Sequence, residues 1–518
     1  MPVPENIRLV KRPINTIIDD NNRDGPLRYA VRERTDTKYT PGKNPQPHNG
    51  RVIGHIIENK FVPIIEKTTN KPEMLSYGAA ALVKSVTHDL LSDLLNIYPA
   101  QDAYAIMAIA TLRVIKPSIT TNRISTHYKR TFVCIDYPGA ALSQNTITTF
   151  LQQLGQDENK RKQFYQKRIE KVREDHHIAI DGTLKQDTST VNDLSAFSYK
   201  AQVKGYKEVS VLYAYDIELM EPICAEIFPG NSIDASSYPA FIRNNNITKG
   251  IIVADKGFPP SRIEDLLKER PQLHFLTPIK RNDKRIVDNG MLVFEEVIEG
   301  LMDTRVICKK CAIAGGRFLY SFKDSRRAAV EDVSYLANAE KTHSFDPLEY
   351  AKRKESFGVI VFESDQDLPA RTVYLCYDDR WLLELVFSSY KGDECLDRTC
   401  VQGDFSLVGS EFINFVSTVA TCRILRKAMV SGLLSGMSYG ELMDDLCSAW
   451  RLRGAPEPAC SDDGYWVHTL VSVFEELEVL GLSVPVPKSV PKKRGRPKKA
   501  ILEHRLKRPR GRPRKNPV

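Results

Sequence analysis

The order of elements in this sequence predicts an α/β chain, and three observations carry that expectation. Ile178–Asp181, Val209–Asp216 and Pro222–Phe228 are short β-branched or apolar runs that follow one another as a meander. Two later runs, Gly250–Asp255 and His274–Ile279, alternate with helical stretches at Ser232–Asn244 and Ser261–Glu269, which is the plan of an α/β sheet. Helical spacing dominates on both sides of this block.

Taken in order, residues 1–75 are rich in Pro, Asn, Asp and Thr, with β-like runs at Arg51–Ile57 and Phe61–Ile65. They read as an extended N-terminal arm with a small hairpin. Residues 76–170 are helical. Ala79–Ile97 carries Leu82, Val86, Leu90, Leu91, Leu94 and Leu95 at helical spacing, a second helix runs from Asp102 to Ile115, and Ser143 caps a third that reaches Leu154 before Gly155. Two readings of this region stay open, a helix-turn-helix unit that reads DNA and a plain helical bundle. The strand block fills residues 171–284. A second strand-rich stretch follows at 285–370, with runs at Leu292–Ile298, Arg305–Ile307, Phe318–Phe322 and Gly358–Phe362 and a helix at Pro347–Ser356. Helical patterns resume after Tyr374, through 371–430 and a further helical region at 431–487.

The chain has 518 residues, 42% apolar and 27% charged, which excludes whole-chain disorder, collagen and a small disulfide scaffold. Its formal net charge is +9, but residues 488–518 hold 14 Lys+Arg against one acid, Glu503. The remaining body has 60 Lys+Arg and 64 Asp+Glu, a net of −4. Ten scattered cysteines point to a reducing compartment. Met1–Val10 has no signal-peptide pattern, and the apolar stretch Ala103–Ile115 is too short to span a bilayer and contains Arg113. No membrane association is expected.

Two runs end in a carboxylate followed by a glycine-containing turn, Ile180-Asp181-Gly182-Thr183 and Ala254-Asp255-Lys256-Gly257. A carboxylate at the mouth of a parallel strand sits where open α/β sheets bind ligands; a turn or capping aspartate reads the same way. Tyr377, Arg380, Glu384 and Lys391 fall within about 60° of one another at ~100° per residue, so a helix would carry all four on one face. Leu382, Val386 and Phe387 take the other. A salt-bridged surface face is the simpler account, since Arg380 and Glu384 are an i,i+4 pair.

The spacing Tyr377-x2-Arg380-x3-Glu384-x6-Lys391 resembles the YREK signature of insertion-sequence DDE transposases, the cut-and-paste enzymes with a ribonuclease-H-like core. Tyr377-Asp378-Asp379-Arg380-Trp381 and Gly230-Asn231-Ser232-Ile233-Asp234 resemble that family too, and Asp181 and Asp255 match its first and second aspartates. The resemblance spans residues 170–430. It implies a ribonuclease-H-like catalytic core at 171–284 and 371–430, interrupted by a β-rich insertion domain at 285–370. It also implies Asp181, Asp255 and Glu384 as catalytic residues and metal ligands, with Asp181 bridging two Mg²⁺ ions for which Mn²⁺ can substitute. Two hard cations suit phosphodiester cleavage, because they activate water and stabilise the leaving oxygen. Tyr377, Arg380 and Lys391 would hold DNA phosphates. The implied partners are the terminal inverted repeats of the element and target DNA, bound by a homodimer, in the nucleoid-associated cytoplasm of a prokaryotic host. Two other readings are a non-catalytic A·T-rich DNA-binding protein derived from a transposase, and a nuclease without strand transfer.

The resemblance also implies that the transposon end is often handled through a DNA hairpin intermediate, a route the sequence leaves open. None of the three tryptophans, Trp381, Trp450 and Trp466, lies in 285–370, so if relatives stack a flipped base on a tryptophan there, Phe318, Tyr320 or Phe322 would have to serve, although all three read first as core residues of a strand. The tail repeats one core, Arg494-Gly495-Arg496-Pro497 and Arg510-Gly511-Arg512-Pro513, and resembles the AT-hook. Arginines on a glycine-slimmed, proline-extended chain suit the narrow A·T minor groove. This tail is expected to be disordered when free. Cys308-Lys309-Lys310-Cys311 lacks a second pair for zinc, and His176-His177 reads as a loop.

Overall fold

The computed structural model describes residues 3–21, 25–38, 46–64, 74–198, 205–232, 234–253, 263–301, 304–379, 398–399, 401–453 and 467–482. It divides into two compact units, residues 1–71 and 72–518.

In the first unit, α1 (Glu5–Arg8) precedes four antiparallel strands in the order β1 (Thr16–Asp20), β2 (Tyr29–Lys38), β3 (Gln46–Ile57) and β4 (Lys60–Pro63). The expected hairpin is β3–β4, closed by Glu58 and Asn59 at φ 50° and 56°, a turn whose twist suits paired strands. The rest is not an extended arm. Charge-rich β2 supplies Val31 to a small core with Ile7 and Ile56, and Arg28–Asp20 and Arg32–Asp19 bridge it to β1.

The second unit begins with β5 (Met74–Ser76) and helices α2 (Gly78–Ile97), α3 (Ala100–Ile115), α4 (Thr121–Arg130), α5 (Val133–Asp136), α6 (Gln144–Gln156) and α7 (Glu158–Ile169). Ser143 caps α6 by accepting the Thr146 amide, as its position suggests. Strands β6 (His177–Asp187), β7 (Lys207–Asp216) and β8 (Glu221–Pro229) follow, then α8 (Asp234–Asn244), β9 (Lys249–Val253), α9 (Glu264–Glu269) and β10 (Gln272–Pro278). Next come α10 (Lys284–Asp288), β11 (Glu296–Val297), β12 (Val306–Ile313), β13 (Arg317–Asp324), α11 (Ser325–Thr342), α12 (Pro347–Lys354), β14 (Val359–Ser364) and α13 (Ala370–Asp379). The chain closes with β15 (Arg398–Thr399), α14 (Asp404–Val430), α15 (Tyr439–Cys447), β16 (Trp450–Leu452) and α16 (Val471–Val479).

Among the described residues one sheet runs β11-β12-β13-β14-β10-β9-β6-β7-β8, with β15 added beside β6. The β6-β7-β8 meander is antiparallel, whereas β6, β9 and β10 are mutually parallel. β14 pairs antiparallel with β10 and carries β13, β12 and β11 outward. The stretch expected as a separate β-rich insertion therefore continues the same sheet, and it contains α11, a helix the sequence pattern misses. Only Glu296–Val297 of the expected Leu292–Ile298 run forms a strand.

The helical regions on either side of the sheet-forming block share one core. α14 packs on α2, α3, α6 and β8, and β16 pairs with β5 at Trp450↔Ser76. Two glycines let α6 and α14 touch, since a Cβ at Gly155 would lie 1.7 Å from the Phe405 carbonyl oxygen and one at Gly409 2.0 Å from that of Leu151. By length and apolarity α14 could cross a membrane, yet 89% of its most apolar window is buried inside the fold. It is a core helix.

A buried charge network clamps this helical layer to the sheet edge. Arg168 of α7, 1% exposed, donates to Glu221 of β8. Glu221 also accepts from Arg423 of α14, which bonds Asp89 of α2 at 2.5 and 3.0 Å; Lys171 reaches Asp89 at 2.9 Å. Burial pushes the carboxyls of Asp89 and Glu221 up, but the surrounding cations outweigh it and hold both below the ordinary range. A carboxyl lowered in the folded state contributes its stability above its unfolded pKa of about 4 and loses it as pH falls further. The denaturant midpoint should therefore drop as pH is taken below about 4, and replacing Glu221 with Gln should reduce that acid sensitivity.

Candidate active site

Asp181 lies on β6, but not at the strand's end. β6 continues through Gly182 and Thr183 to Asp187, paired with β7 throughout, so Asp181 faces Tyr213 and Gly182 faces Leu212. What stops nearby is the parallel partner: β6–β9 pairing ends at Ala179↔Val253. Asp181 stands two residues past that pair, a half-exposed carboxylate whose Oδ1 accepts the Gly182 amide at 2.8 Å.

The face of β6 that carries Asp181 is held from behind. Thr183, Lys185 and Asp187 on the same face are buried. Lys185, 1% exposed, donates to Glu411 of α14 at 2.6 Å, and Asn414 donates to the same carboxylate at 2.9 Å. Arg113 of α3 in turn bonds the Asn414 amide oxygen at 2.5 Å. Asp187 accepts the Ser189 amide at 2.8 Å and the Asn192 amide group at 2.6 Å. Asn192 accepts the Gly403 amide at 2.5 Å, which ties the end of β6 to the start of α14. The chain thus re-enters the sheet at β15 against Gln186 and Asp187, five positions after Asp181.

Of the remaining site residues expected from sequence, Tyr377 is described, on α13. Its ring packs edge-on against Phe362 with centroids 4.7 Å apart, and the Arg327 guanidinium sits 6.0 Å from its centroid. Asp255, Arg380, Glu384 and Lys391 lie outside the described residues, as do Arg494, Gly495, Arg496, Pro497, Arg510, Gly511, Arg512 and Pro513. Asp181 and Tyr377 are therefore placed, and the structure makes no statement about the others.

Tyr377 borders a cleft of about 530 Å³ that also draws in Arg281, Asp324, Arg326, Arg327 and Tyr374. Asp324 organises it. Its carboxylate accepts the Arg326 amide at 2.8 Å, the Thr304 hydroxyl at 2.6 Å and the Tyr374 hydroxyl at 2.7 Å, capping α11. Burial raises the Asp324 carboxyl, and these donors bring it below the ordinary value. The sequence signal for this junction is Asp324-Ser325-Arg326-Arg327, an N-cap with two arginines in the first turn. By contrast, Tyr320 and Phe322 are core residues, 0% and 1% exposed, and neither is placed to stack an extrahelical base.

At the opening of β6 the His176-His177 pair is not a plain loop. His177 Nδ1 bonds Glu218 at 2.7 Å, and its own backbone amide donates to the same carboxylate. His176 Nδ1 bonds Asp216 at 2.6 Å while its Nε2 accepts from Arg173 at 3.0 Å. Burial lifts the Asp216 carboxyl above its ordinary value despite His176. Potential ligand atoms of His177, Glu218 and Cys376 lie within 4.8 Å of one another, as do those of His176, Asp216 and Glu218. Among the described residues these are the potential metal-ligand groups, and neither includes Asp181. Cys308 and Cys311 join no such group and sit on β12 as ordinary strand residues.

The parallel β6–β9 pairing thus ends two residues short of a half-exposed aspartate inside a mixed α/β sheet. Residues 148–407, just over half of the chain, match the family model described as the transposase DDE domain. The chain belongs to that family. Two AT hook motifs match at residues 491–503 and 507–518. No curated protein matches the chain. Among solved structures, one that is similar is a cryo-EM structure of a piggyBac transposase synaptic complex with hairpin DNA, 12% identical, covering 71% of this chain and 77% of that one at a TM-score of 0.36.

The two roles available to Tyr377 separate by substitution. Tyr377→Phe keeps the ring on Phe362 and should retain most of the stability that the alanine variant loses. Tyr377→Ala empties a half-buried ring site and should lower stability by about 2 kcal/mol, read from the denaturant midpoint at constant m.

Proposed function

We propose that this chain is a DDE transposase that cleaves DNA at the ends of its element and joins those ends to target DNA. Asp181, Asp255 and Glu384 are its acidic triad. The observation that carries the reading is the sheet order β8-β7-β6-β9-β10, an antiparallel meander followed by two parallel strands, with Asp181 just past the last β6–β9 pair. This order fits a ribonuclease-H-like core. Asp255 follows Val253 by the same two residues that separate Asp181 from Ala179. The segment holding Arg380, Glu384 and Lys391 is bracketed by α13 and by β15, whose partner is the far half of β6.

Asp181 suits a hard divalent cation: it is an oxygen donor, half-exposed, on a strand fixed by buried bonds. Mg²⁺, with Mn²⁺ as substitute, would be held by Asp181, Asp255 and Glu384 and would supply an activated water and charge stabilisation at the leaving oxygen. The chain's own part is positioning. The Gly182 amide orients one oxygen of Asp181, and the Lys185–Glu411 pair keeps β6 from shifting under it. Tyr377, Arg380 and Lys391 offer a hydroxyl, a guanidinium fork and an ammonium to phosphate oxygens. The partners in this reading are the terminal inverted repeats and target DNA, held by a homodimer in the cytoplasm of a prokaryotic host. The AT-hook arginines Arg494, Arg496, Arg510 and Arg512 would add minor-groove contacts, with Gly495, Pro497, Gly511 and Pro513 shaping the chain around them.

Asp255→Asn should abolish cleavage of the element's ends and leave end binding within about twofold, measured by strand cleavage and mobility shift on the same duplex. Undiminished cleavage by that variant would sink the triad. Wild-type protein that binds A·T-rich DNA and never cleaves would favour the non-catalytic reading. Deleting residues 488–518 should weaken binding and flatten its salt dependence while cleavage chemistry persists.

A further inference from the structure

Helix α4 has one face committed to the fold. Ile124 and Tyr128 are buried, and the Tyr128 hydroxyl donates to the Tyr137 carbonyl at 2.6 Å. The rest of its surface is cationic. Arg123, His127 and Arg130 fall at i, i+4 and i+7, within about 60° of one another at ~100° per residue. Arg123, Lys129 and Arg130 are exposed, and Lys116 precedes the helix at its base.

Most other cations of the α2–α7 region are held by an acid or by neutral polar groups, as Arg113 is by Asn414 and Arg161 by the Leu154 and Gly155 carbonyls. Lys84 pairs with Asp136, Lys160 with Asp157, Lys162 with Glu158 and Lys171 with Asp89. Among the described residues the side chains of Lys116, Arg123, Lys129 and Arg130 have no ion-pair or hydrogen-bond partner. The His127 ring reports the resulting field. It is held below its ordinary pKa first by burial and then by Lys116, Arg123 and Arg130 together. Leaving several like charges unopposed at one point is costly unless an anion relieves them, and it runs against the net −4 of the body.

We propose that α4 and Lys116 form a duplex-DNA contact surface that holds backbone phosphates through Lys116, Arg123, Lys129 and Arg130. Arg123 and Arg130 stand about 10.5 Å apart along the helix axis, far enough to meet different phosphates of one duplex. Asn122 and Thr126 flank the stripe with neutral hydrogen-bonding groups. The surface rests on the reading that this chain handles DNA, but not on the acidic triad or on the AT hooks.

The test measures the Kd of the full-length protein for a G·C-rich duplex across a salt series, because A·T minor-groove binding by the tail contributes least there. Each phosphate that is no longer neutralised makes the slope of log K against log salt shallower by about 0.9. The triple variant Lys116→Ala, Arg123→Ala, Arg130→Ala should therefore show a slope shallower by about 2.7, with at least tenfold weaker binding near 0.1 M salt. Its melting temperature should match wild type, since none of the three side chains has a described partner. Lys162→Ala, which removes a cation already paired with Glu158 on α7, should keep the wild-type slope when measured alongside. A triple variant with the wild-type slope overturns the surface, whatever cleavage assays show. So does wild-type protein that fails to bind the duplex, or one that binds polyglutamate with the same change of slope. If the slope falls as expected while no element end is cut, the surface stands and the transposase reading falls.

Discussion

Lys185 and Glu411 bring opposite charges into a region where neither meets water, and the placement of Asp181 depends on that pairing. Taking either ion out of water costs several kcal/mol, which only good geometry and further hydrogen bonds offset. Asn414 supplies one such bond and is itself held by Arg113. Removing one partner of such a pair typically costs about 3–5 kcal/mol, because the other charge is stranded. The pair fixes β6 to α14, and α14 is fixed a second time, at its other end, by Arg423 bridging Glu221 and Asp89. The strand that carries the candidate carboxylate is thus held by two polar clamps set in an apolar core.

How much of this was legible in the sequence follows from which partners a residue needs. The cores of β7 to β10 announce themselves as apolar runs because both faces are covered. β6 looks as though it stops at Asp181, because Gly182, Lys185 and Asp187 read as turn and surface residues. They are strand residues: Lys185 finds its counterion Glu411 over two hundred positions later, Asp187 bonds Ser189 and Asn192 just beyond the strand, and Gln186 and Asp187 pair with Arg398 and Thr399. β2 hides behind alternating charge for a related reason, since its Arg32 and the Arg28 just before it are answered by Asp19 and Asp20 on β1. α11 lacks a buried stripe; Val330 and Val333, its apolar residues at helical spacing, are 61% and 68% exposed, so the helix does not rest on an apolar face.

For the site, Asp181 and Tyr377 could be named from the sequence as candidates, and the structure describes where both lie. The cleft beside Tyr377 could not. Asp324 and the arginines after it sit at a strand-to-helix junction, Tyr374 on another helix and Arg281 on a loop, and only the sheet extension through β14 brings them together. The charge arithmetic was similarly incomplete. Net charge separates a basic tail from an acidic body, yet within that body the acids are consumed by specific partners, and α4 is left with cations that the total conceals.

The long sequence separation between Lys185 and Glu411 also bears on how the protein is made. At roughly 5–20 residues per second, a ribosome needs on the order of 10–45 s to travel from one to the other. During that interval β6 can pair with β7 and β9, but its lysine has no buried counterion and the face behind Asp181 has no cover. The strand can reach its final setting only after α14 has emerged. The nascent chain therefore passes a long stretch of its synthesis with the carboxylate strand formed but not seated.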